Sequence, residues 1–250
     1  MGLRVSGGNG SVLAFPRADL RGLLGNALKR HRLPEALATR LVREAQAFPD
    51  VSADAALAFA LDSRMTAAPI DFDKARSILL VGPAGGGKSA VAAKILHAAA
   101  LAGRRVELQR ADGGLALFRT RSVRDCGSGD KTNSNPPGLL TVMEAEGFNP
   151  LNARAASAFS ALGEIEGVET IGVVSALNDA EDVADIVSAF RFRRVIVTHM
   201  DRTRRLGAAL AAITGCARLA HVTYGPRPED ALEILAPGAL AALLLDKAQH

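Results

Sequence analysis

The feature that most constrains this chain is a glycine-rich stretch at residues 82–89, GPAGGGKS, which lies between two apolar segments of different character. Before it, residues 77–81 form a short continuous apolar run, which is typical of a parallel strand covered on both faces. After it, residues 88–102 have helical periodicity. Glycines let the backbone curl so that several N–H groups face one anion, and the helix directs its positive end to the same place. The pattern therefore predicts a strand, a phosphate-binding loop and a helix.

The residues of this stretch, called the phosphate loop below, each have an expected task. Lys88 is expected to reach the β and γ phosphates of a nucleoside triphosphate, and Ser89 to place its hydroxyl in the shell of a magnesium ion. The alternative is a glycine-rich strand-to-helix turn with an exposed lysine. The strand and helix context favours the binding site, whose predicted residues are Gly82, Pro83, Ala84, Gly85, Gly86, Gly87, Lys88, Ser89 and Ala90.

Further strand-like runs follow the phosphate loop, separated by stretches that can hold helices. They occupy residues 106–108, 139–143, 170–174, 195–198 and 220–223. Such alternation predicts an α/β fold with a doubly wound, mostly parallel sheet. Residues 119–138 interrupt the pattern, because this polar stretch is rich in turn formers, and we expect a mobile loop there.

The residues that precede the sheet have the pattern of a small helical unit. Apolar residues recur at helical spacing in three segments, with Pro34 predicted in the first turn of the second helix and Ser52 as the cap of the third. The basic run at residues 29–32, KRHR, is interpreted as an exposed helix end. We expect three parts: a flexible leader at 1–17, a helical domain at 18–70 and a phosphate-loop domain at 71–250.

A second candidate site follows the strand predicted at residues 195–198, where the chain continues with His199, Met200 and Asp201. A late strand of such a sheet delivers side chains to its carboxyl edge, beside the phosphate loop. There the Asp201 carboxylate can accept hydrogen bonds from both N1 and N2 of guanine, which adenine cannot supply in that arrangement. Asp201 therefore favours GTP. The alternative is an ordinary aspartate that caps the next helix.

Composition narrows the remaining function classes. The chain carries 30 basic and 26 acidic side chains, an excess of only +4, which gives no reason to expect an obligate nucleic-acid partner. Its 2 cysteines are far apart, so neither a disulfide framework nor a zinc site is expected. We see no apolar run long enough for a transmembrane segment. These features predict a cytoplasmic protein, with peripheral attachment at the inner face of the membrane left open.

Longer segments around these sites resemble the motifs of the signal-recognition-particle class of GTPases, and most closely its FlhF-like flagellar branch. GPAGGGKSAVAAKI resembles the first motif of that family, VIVTHMDRTRRLGAAL its guanine motif, usually TKxD, and HVTYGPRPEDAL its final motif. The resemblance implies that Asp230 starts the last helix. His199 stands where the family has the lysine that covers the guanine ring, and the imidazole either stacks there as well or simply packs at the strand end. Further nucleotide contacts are implied at Lys94, Thr198, Gly207 and Gly225.

The middle of the resemblance departs from the family pattern. The second family motif, DTxR, falls on residues 112–115, which keep Asp112 and lose the arginine. The third, DTAGR, falls on residues 144–148, where Glu144 replaces the first aspartate and Gly147 is kept. The resemblance thus assigns Asp112, Glu144 and Gly147 to the catalytic positions. Phosphoryl transfer depends on polar groups at fixed places, so the departures leave GTP hydrolysis open.

For function, the resemblance implies a nucleotide-dependent switch in protein targeting or flagellum placement that uses GTP, GDP and Mg²⁺. It also implies pairing of two GTPase domains, as a homodimer or as a heterodimer with a relative, and a flagellar or membrane-targeting partner. The eroded second and third motifs keep a second interpretation open, a degenerate scaffold that binds nucleotide without hydrolysing it. An ATP-dependent kinase is less favoured, because the sequence shows no arginine-rich lid.

Overall fold

The computed structural model describes residues 17–110, 138–147, 149, 167–214 and 217–246. The expected leader at 1–17 lies outside the described residues except for its last position, and so do Asp112 and all but the last residue of the loop expected at 119–138. Within the described ranges the chain forms one sheet with helices packed on both faces. The predicted α/β class with a mostly parallel sheet is confirmed.

In the described part of the chain the sheet has seven strands, and every neighbouring pair is parallel except the last. Their order is β2-β3-β1-β4-β5-β6-β7, so the chain starts near the middle and winds outward on both sides. The predicted strands are confirmed with small extensions at their ends, whereas the two-residue β7 is too short to have a sequence signal. The strands are β1 Ser77–Val81, β2 Arg105–Arg110, β3 Leu139–Glu144, β4 Val168–Ser175, β5 Arg194–Thr198, β6 Arg218–Thr223 and β7 Leu232–Glu233.

The third helix begins at a residue whose side chain caps it, whereas the second does not. Ser52 caps the third helix, since its hydroxyl accepts a hydrogen bond from Ala55 N at 3.4 Å, as predicted. Pro34 has an extended backbone with ψ of 134° and is the cap of the second helix, not part of its first turn. Among the described residues, no helix is long and apolar enough to cross a bilayer. The helices are α1 Arg17–Arg30, α2 Glu35–Ala45, α3 Ala53–Asp62, α4 Lys88–Leu101, α5 Ala180–Ala189, α6 Gly207–Ile213 and α7 Pro237–Leu245, with a 3₁₀ turn at Met200–Arg202.

Strand β1 is buried on both faces, as its continuous apolar run predicts. Leu79 and Val81 join the core that contains residues of α1–α3 and α5–α7, whereas Ile78 and Leu80 join the core under α4. Burial of each such aliphatic side chain contributes roughly 1.5–3 kcal/mol. The phosphate loop therefore starts from a strand that is fixed from both sides.

The turn after α1 is tied to two later helices by a buried histidine. The interpretation of residues 29–32 as an exposed helix end is correct for the two residues that close α1 but wrong for His31, which is fully buried. Its Nδ1 accepts a hydrogen bond from Leu206 N at 3.3 Å, so Nε2 carries the hydrogen and donates to Leu244 O at 3.1 Å. The helical unit is thus joined to the start of α6 and to α7. The domain boundary expected at residue 70 stays a prediction.

For the segment after β6, the prediction that Asp230 starts the last helix is wrong. The last helix, α7, begins at Pro237, a residue suited to the first helical position. Asp230 instead turns its carboxylate toward Arg227, whose backbone N–H and guanidinium donate to it at 2.8 and 3.1 Å. The chain then passes through β7 before α7. A short acidic stretch looks alike in a capped helix and in this turn, so the sequence could not separate them.

Candidate nucleotide site

The phosphate loop joins the buried end of β1 to the first turn of α4. Gly87 is the N-cap of α4 and has φ of +91°, a conformation that other residues rarely adopt. The first intrahelical bond runs from Val91 N to Gly87 O at 3.0 Å. The amides of Lys88, Ser89 and Ala90 precede that bond, so their N–H groups face outward at the helix N-terminus. This geometry suits an anion such as phosphate.

The backbone of the loop is held by contacts on both sides. Within it, Gly86 N donates to Pro83 O at 3.2 Å. Gly82 lies against the Val173 backbone of β4, so close that a side chain would collide with it. The Thr198 hydroxyl of β5 donates to Gly86 O at 2.8 Å. Because its neighbours already shape the loop, a ligand would not bear the entropic cost of ordering it.

Lys88 is buried, and its ammonium turns back on the loop. Nζ donates to Gly82 O at 2.9 Å and to Pro83 O at 3.0 Å, so these carbonyls take two of its three N–H donors. Burial lowers the pKa of Lys88, and the charge of Glu144 acts in the opposite direction. A bound anion would favour the charged ammonium further. The lysine is therefore a cation already placed at the loop.

Beside the lysine, a hydroxyl and a carboxylate meet. Ser89 Oγ donates to Glu144 Oε1 at 2.6 Å and so joins the start of α4 to the carboxyl end of β3. The second carboxylate oxygen, Oε2, is buried and has no hydrogen-bond partner among the described residues. Mg²⁺ prefers oxygen ligands and is usually held by one or two carboxylates together with substrate phosphates. The described residues contain no group of three or more His, Cys, Asp or Glu side chains that could hold a metal. A magnesium ion at Ser89 and Glu144 would therefore need phosphate or water oxygens as well.

The segment after β3 also reaches the phosphate loop. Gly147 packs on Ala84, and a Cβ at residue 147 would lie 2.7 Å from Ala84 Cα. Two of the three predicted catalytic positions, Glu144 and Gly147, thus lie beside the loop, whereas Asp112 lies outside the described residues. The parallel pairing of β3 with β1 explains this, because it brings the carboxyl ends of both strands to one edge of the sheet.

The carboxyl end of β5 places the residues predicted for base recognition. Asp201 is exposed in the 3₁₀ turn Met200–Arg202, which follows this strand after His199. His199 caps that turn with φ of +60°, and its Nδ1 lies 2.9 Å from Ser175 Oγ and 3.1 Å from Thr198 Oγ1. Burial and the charge of Arg202 lower the pKa of His199, against the opposing charge of Asp201. The carboxyl end of β5 thus provides a carboxylate at the surface and an imidazole held by hydrogen-bonding contacts.

Comparison with solved structures identifies the fold. A structure of FlhF complexed with GTP and Mg²⁺ has a TM-score of 0.70 at 16% sequence identity, covering 91% of this chain and 99% of that one. The signal recognition particle receptor FtsY from Elizabethkingia anophelis, in complex with GDP, has a TM-score of 0.66 at 16% identity, covering 90% and 84%. The chain has the fold of the signal-recognition-particle GTPases. No protein-family model and no curated protein matches its sequence.

Within this GTPase fold, a buried lysine joins α4 to the loop between β6 and β7. Lys94 Nζ donates to Arg227 O and Asp230 O, each at 2.7 Å, and to Tyr224 O at 3.4 Å. Burial lowers the pKa of Lys94, opposed first by the charge of Asp230 and then by that of Asp201. Because these carbonyls occupy its donors, Lys94 positions the loop, and its predicted part in nucleotide binding would run through that loop. Sequence reasoning missed the carbonyl contacts, since nothing in the spacing indicates them.

The two glycines assigned by resemblance have different surroundings in the GTPase fold. Gly225, with φ of +67°, lies in the loop that Lys94 holds and is next to the Asp230 carboxylate. Gly207 is the first residue of α6 and donates its N–H to His31 O at 2.9 Å. A Cβ at residue 207 would lie 2.5 Å from that oxygen, so this glycine allows α6 to pack on the turn after α1. Only Gly225 belongs to a loop that the structure links to α4.

Proposed function

We propose that this chain binds a guanine nucleotide with Mg²⁺ and acts as a nucleotide-dependent switch of the signal-recognition-particle GTPase type. The observation that carries the proposal is the convergence of Lys88, Ser89 and Glu144 at the N-terminus of α4. Asp201 follows β5 on the same carboxyl edge of the sheet. Ligands of open α/β sheets bind outside this edge, so a nucleotide with its phosphates in the loop would extend its base toward β5.

The phosphates would accept hydrogen bonds from the amides of residues 88–90 and from the Lys88 ammonium. Charge-assisted hydrogen bonds of this kind contribute about 1.5–3 kcal/mol each. To engage phosphate with more than one donor, Nζ has to leave the carbonyl of Gly82 or of Pro83. The exchange is favourable because a phosphate oxygen carries charge and a carbonyl oxygen does not.

The base would be chosen by Asp201. This residue is exposed in the turn after β5, and its carboxylate can accept the N1 and N2 hydrogens of guanine together. Adenine presents an unprotonated N1 and a single amino group, so it cannot make this pair of bonds. Thr198 supports the arrangement, because its hydroxyl connects the same strand end to Gly86 of the phosphate loop.

Mg²⁺ would be held by Ser89, with Glu144 as a direct or water-mediated ligand. The fit rests on the short contact between the two side chains and on the buried, unpaired Oε2 of the carboxylate among the described residues. When bound, the ion neutralises negative charge on the phosphates. Ser89 would then direct its hydroxyl oxygen at the ion, and Glu144 would balance the charge from the β3 side.

Calorimetry with GTP, GDP and ATP, each with Mg²⁺, tests ligand identity on the purified chain. We expect guanine nucleotides to bind at least about tenfold more tightly than ATP, which corresponds to 1.4 kcal/mol. Asp201→Asn should weaken GDP binding and favour xanthosine diphosphate, because the amide can donate to the O2 atom of xanthine. Asp185→Asn, an exposed change on α5, is the matched control. Equal affinity for GTP and ATP, or no binding at all, would contradict the proposal.

The second candidate, a scaffold that binds nucleotide without hydrolysing it, is favoured by the third motif. Glu144 stands in place of its first aspartate, and Phe148 has no donor to offer a γ phosphate. Phosphate release measured with GTP in excess separates the two candidates, since a switch should turn over and a scaffold should not. Lys88→Ala serves as the background for this assay.

The proposed switch includes pairing of two GTPase domains and a role in protein targeting or flagellum placement. FlhF, one of the proteins that share the fold, has been solved with GMPPNP and Mg²⁺. Light scattering of this chain with GMPPNP and with GDP tests the proposed pairing, and we expect a larger mass in the triphosphate state. An unchanged monomer mass in both states would argue against a homodimer. Pairing with a related GTPase would then be tested by mixing the two proteins.

A further inference from the structure

Three side chains at the carboxyl ends of β4 and β5 form a cluster that extends to the phosphate loop. His199 Nδ1 lies 2.9 Å from Ser175 Oγ and 3.1 Å from Thr198 Oγ1. Thr198 Oγ1 in turn lies 2.8 Å from Gly86 O and 3.2 Å from Val174 O. An unbroken line of hydrogen-bonding atoms therefore connects the imidazole after β5 to a carbonyl of the phosphate loop.

The cluster has fewer hydroxyl hydrogens than atoms that can accept them. Thr198 has one hydroxyl hydrogen and three acceptors within reach, namely Gly86 O, Val174 O and an unprotonated His199 Nδ1. Ser175 Oγ already accepts from Leu177 N at 3.1 Å, and its own hydrogen can also go to Nδ1. When Nδ1 is an acceptor, the two hydroxyls compete for it, and Thr198 can leave Gly86.

The imidazolium removes this competition because it always has a hydrogen on Nδ1, which the neutral ring has in only one of its two tautomers. With a hydrogen on Nδ1, the imidazolium donates to Ser175 Oγ and Thr198 Oγ1, and the Thr198 hydrogen is left for a carbonyl. The shorter of its two carbonyl contacts is the one to Gly86 of the phosphate loop. The imidazolium also adds a positive charge beside the crevice in which the polyanion would bind. Both effects favour a bound nucleotide.

The charged groups around the ring act in opposite directions. Arg202 disfavours the imidazolium and Asp201 favours it, and both belong to the 3₁₀ turn that His199 caps. From α4, the ammonium of Lys94 is coupled electrostatically to Asp201. From β4, the facing group is the neutral Ser175 hydroxyl. Burial acts with Arg202 and lowers the pKa of His199, so the ring is largely neutral near pH 7 and has a proton to gain.

We propose that His199 is a positioning residue for the phosphate loop, acting through Thr198, and that nucleotide binding takes up a proton at its ring. Uptake follows from linkage, because a ligand that prefers the imidazolium raises the proton affinity of the ring by the same factor. A rise of one pKa unit on binding would make the affinity up to tenfold greater in acid than in base. The inference rests on the proposed function, since it concerns the same site.

The test uses calorimetry of the full chain with GDP and Mg²⁺. Titrations between about pH 6 and about pH 8, in buffers of different ionisation enthalpy, give both the affinity and the number of protons taken up. The parent is compared with His199→Asn and His199→Gln. Asparagine places an amide where Nδ1 lies and tolerates the left-handed backbone of residue 199, so it keeps a donor that cannot titrate. Glutamine reaches toward the Nε2 position and leaves the two hydroxyls without their partner.

We expect proton uptake in the parent and an affinity that rises about threefold to tenfold toward low pH beyond the rise seen in His199→Asn. At about pH 8 His199→Asn should bind with near-parental affinity, whereas at about pH 6 His199→Gln should bind more weakly than the parent, because it lacks both a donor at Nδ1 and the positive charge. His97→Asn, a half-buried histidine of α4, is the control and should retain the parental proton uptake. Folding of each variant is checked by its thermal transition.

Two results would overturn the inference alone. One is equal proton uptake and pH dependence in the parent and His199→Asn. The other is parental affinity in His199→Gln at low pH. In either case GDP still binds, so the proposed function stands. If GDP fails to bind the parent at every pH while the chain is folded, the proposed function fails and this inference with it.

Discussion

The two halves of the candidate site are built in different ways. The phosphate half is the phosphate loop with the first turn of α4, consecutive residues shaped by backbone geometry such as the φ of +91° at Gly87. The base half is the end of β5 with the loop between β6 and β7, which are held by side chains from distant parts of the chain. Lys94 and the Asp230 carbonyl that it binds are 136 residues apart. The first half is therefore encoded locally, and the second is assembled only when the sheet forms.

This difference predicts how each half responds to substitution. Removing a side chain from the phosphate half deletes a contact with the ligand and leaves most of the backbone in place. Removing a side chain that supports the base half, such as that of Lys94, frees a loop, so the free energy of unfolding falls even without ligand. Affinity for nucleotide and free energy of unfolding, measured separately on the same variants, distinguish the two cases.

The largest effect is expected for Lys88→Ala. Loss of the ammonium removes charge-assisted bonds to two phosphates, so affinity for GDP should fall by about 4 kcal/mol, roughly a thousandfold. The free energy of unfolding should fall by only about 1 kcal/mol, because two loop carbonyls lose a donor. Calorimetry and urea unfolding measure the two quantities. Lys74→Ala, on an exposed lysine paired with Asp71, is the control and should change neither. Tight GDP binding by Lys88→Ala would contradict the locally encoded phosphate half.

A change in the base half, Lys94→Met, should act in the reverse order. Methionine fills the buried volume but leaves the carbonyls of Arg227 and Asp230 without their donor, so the free energy of unfolding should fall by about 3 kcal/mol. Hydrogen exchange should show the loop at residues 224–230 opening first. Lys74→Met is the control here. If the variant keeps parental stability and loses affinity alone, Lys94 contacts the nucleotide and does not position the loop.

The same contrast explains what could be predicted from the sequence. The phosphate loop and its flanking strand and helix depend on neighbours along the chain, so glycine spacing and apolar runs predicted them with nearly correct bounds. The start of the last helix was predicted at Asp230 and lies at Pro237, because that aspartate is used by Arg227 and Lys94. The burial of His31 had no local signal either, since its partners come from the start of α6 and from α7. Side chains that bind carbonyls far away in the sequence produce no periodicity or motif from which the contact could be predicted.

Acid should loosen the base half through a histidine in the strand that supports it. His221 of β6 is buried, and its Nε2 accepts a hydrogen bond from Ile70 N at 3.1 Å, an interaction that protonation would destroy. Burial, with Arg194 acting in the same direction, lowers the pKa of His221 to about 4. The unfolded chain has the ordinary value of about 6.5 and binds the proton more readily. The contribution of neutral His221 to the free energy of unfolding is therefore fully present above pH 6.5 and is lost as the pH falls toward 4.

This linkage should lower the free energy of unfolding by about 2 kcal/mol between pH 7 and pH 5. In His221→Gln the amide oxygen can accept the Ile70 N–H and does not titrate, so the variant should lack that part of the decline. Urea unfolding at both pH values measures the difference, with His97→Asn as the control for loss of a partly exposed histidine. Identical pH dependence in the parent and His221→Gln would show that another group controls the acid limit of β6.

The smallest effect is expected for Glu144→Gln, which tests where the phosphate half ends. Glutamine can still accept the Ser89 hydroxyl, but it removes the negative charge that would balance Mg²⁺. The Mg²⁺-dependent gain in GDP affinity should shrink by about 1.4 kcal/mol, or tenfold, while binding without Mg²⁺ should be unchanged or tighter because a carboxylate no longer repels the phosphates. Glu146→Gln, two residues further and exposed, is the matched control. If Glu144→Gln leaves the Mg²⁺ dependence intact, β3 contributes no ligand, the segment after it only packs on the loop through Gly147, and the phosphate half consists of consecutive residues alone.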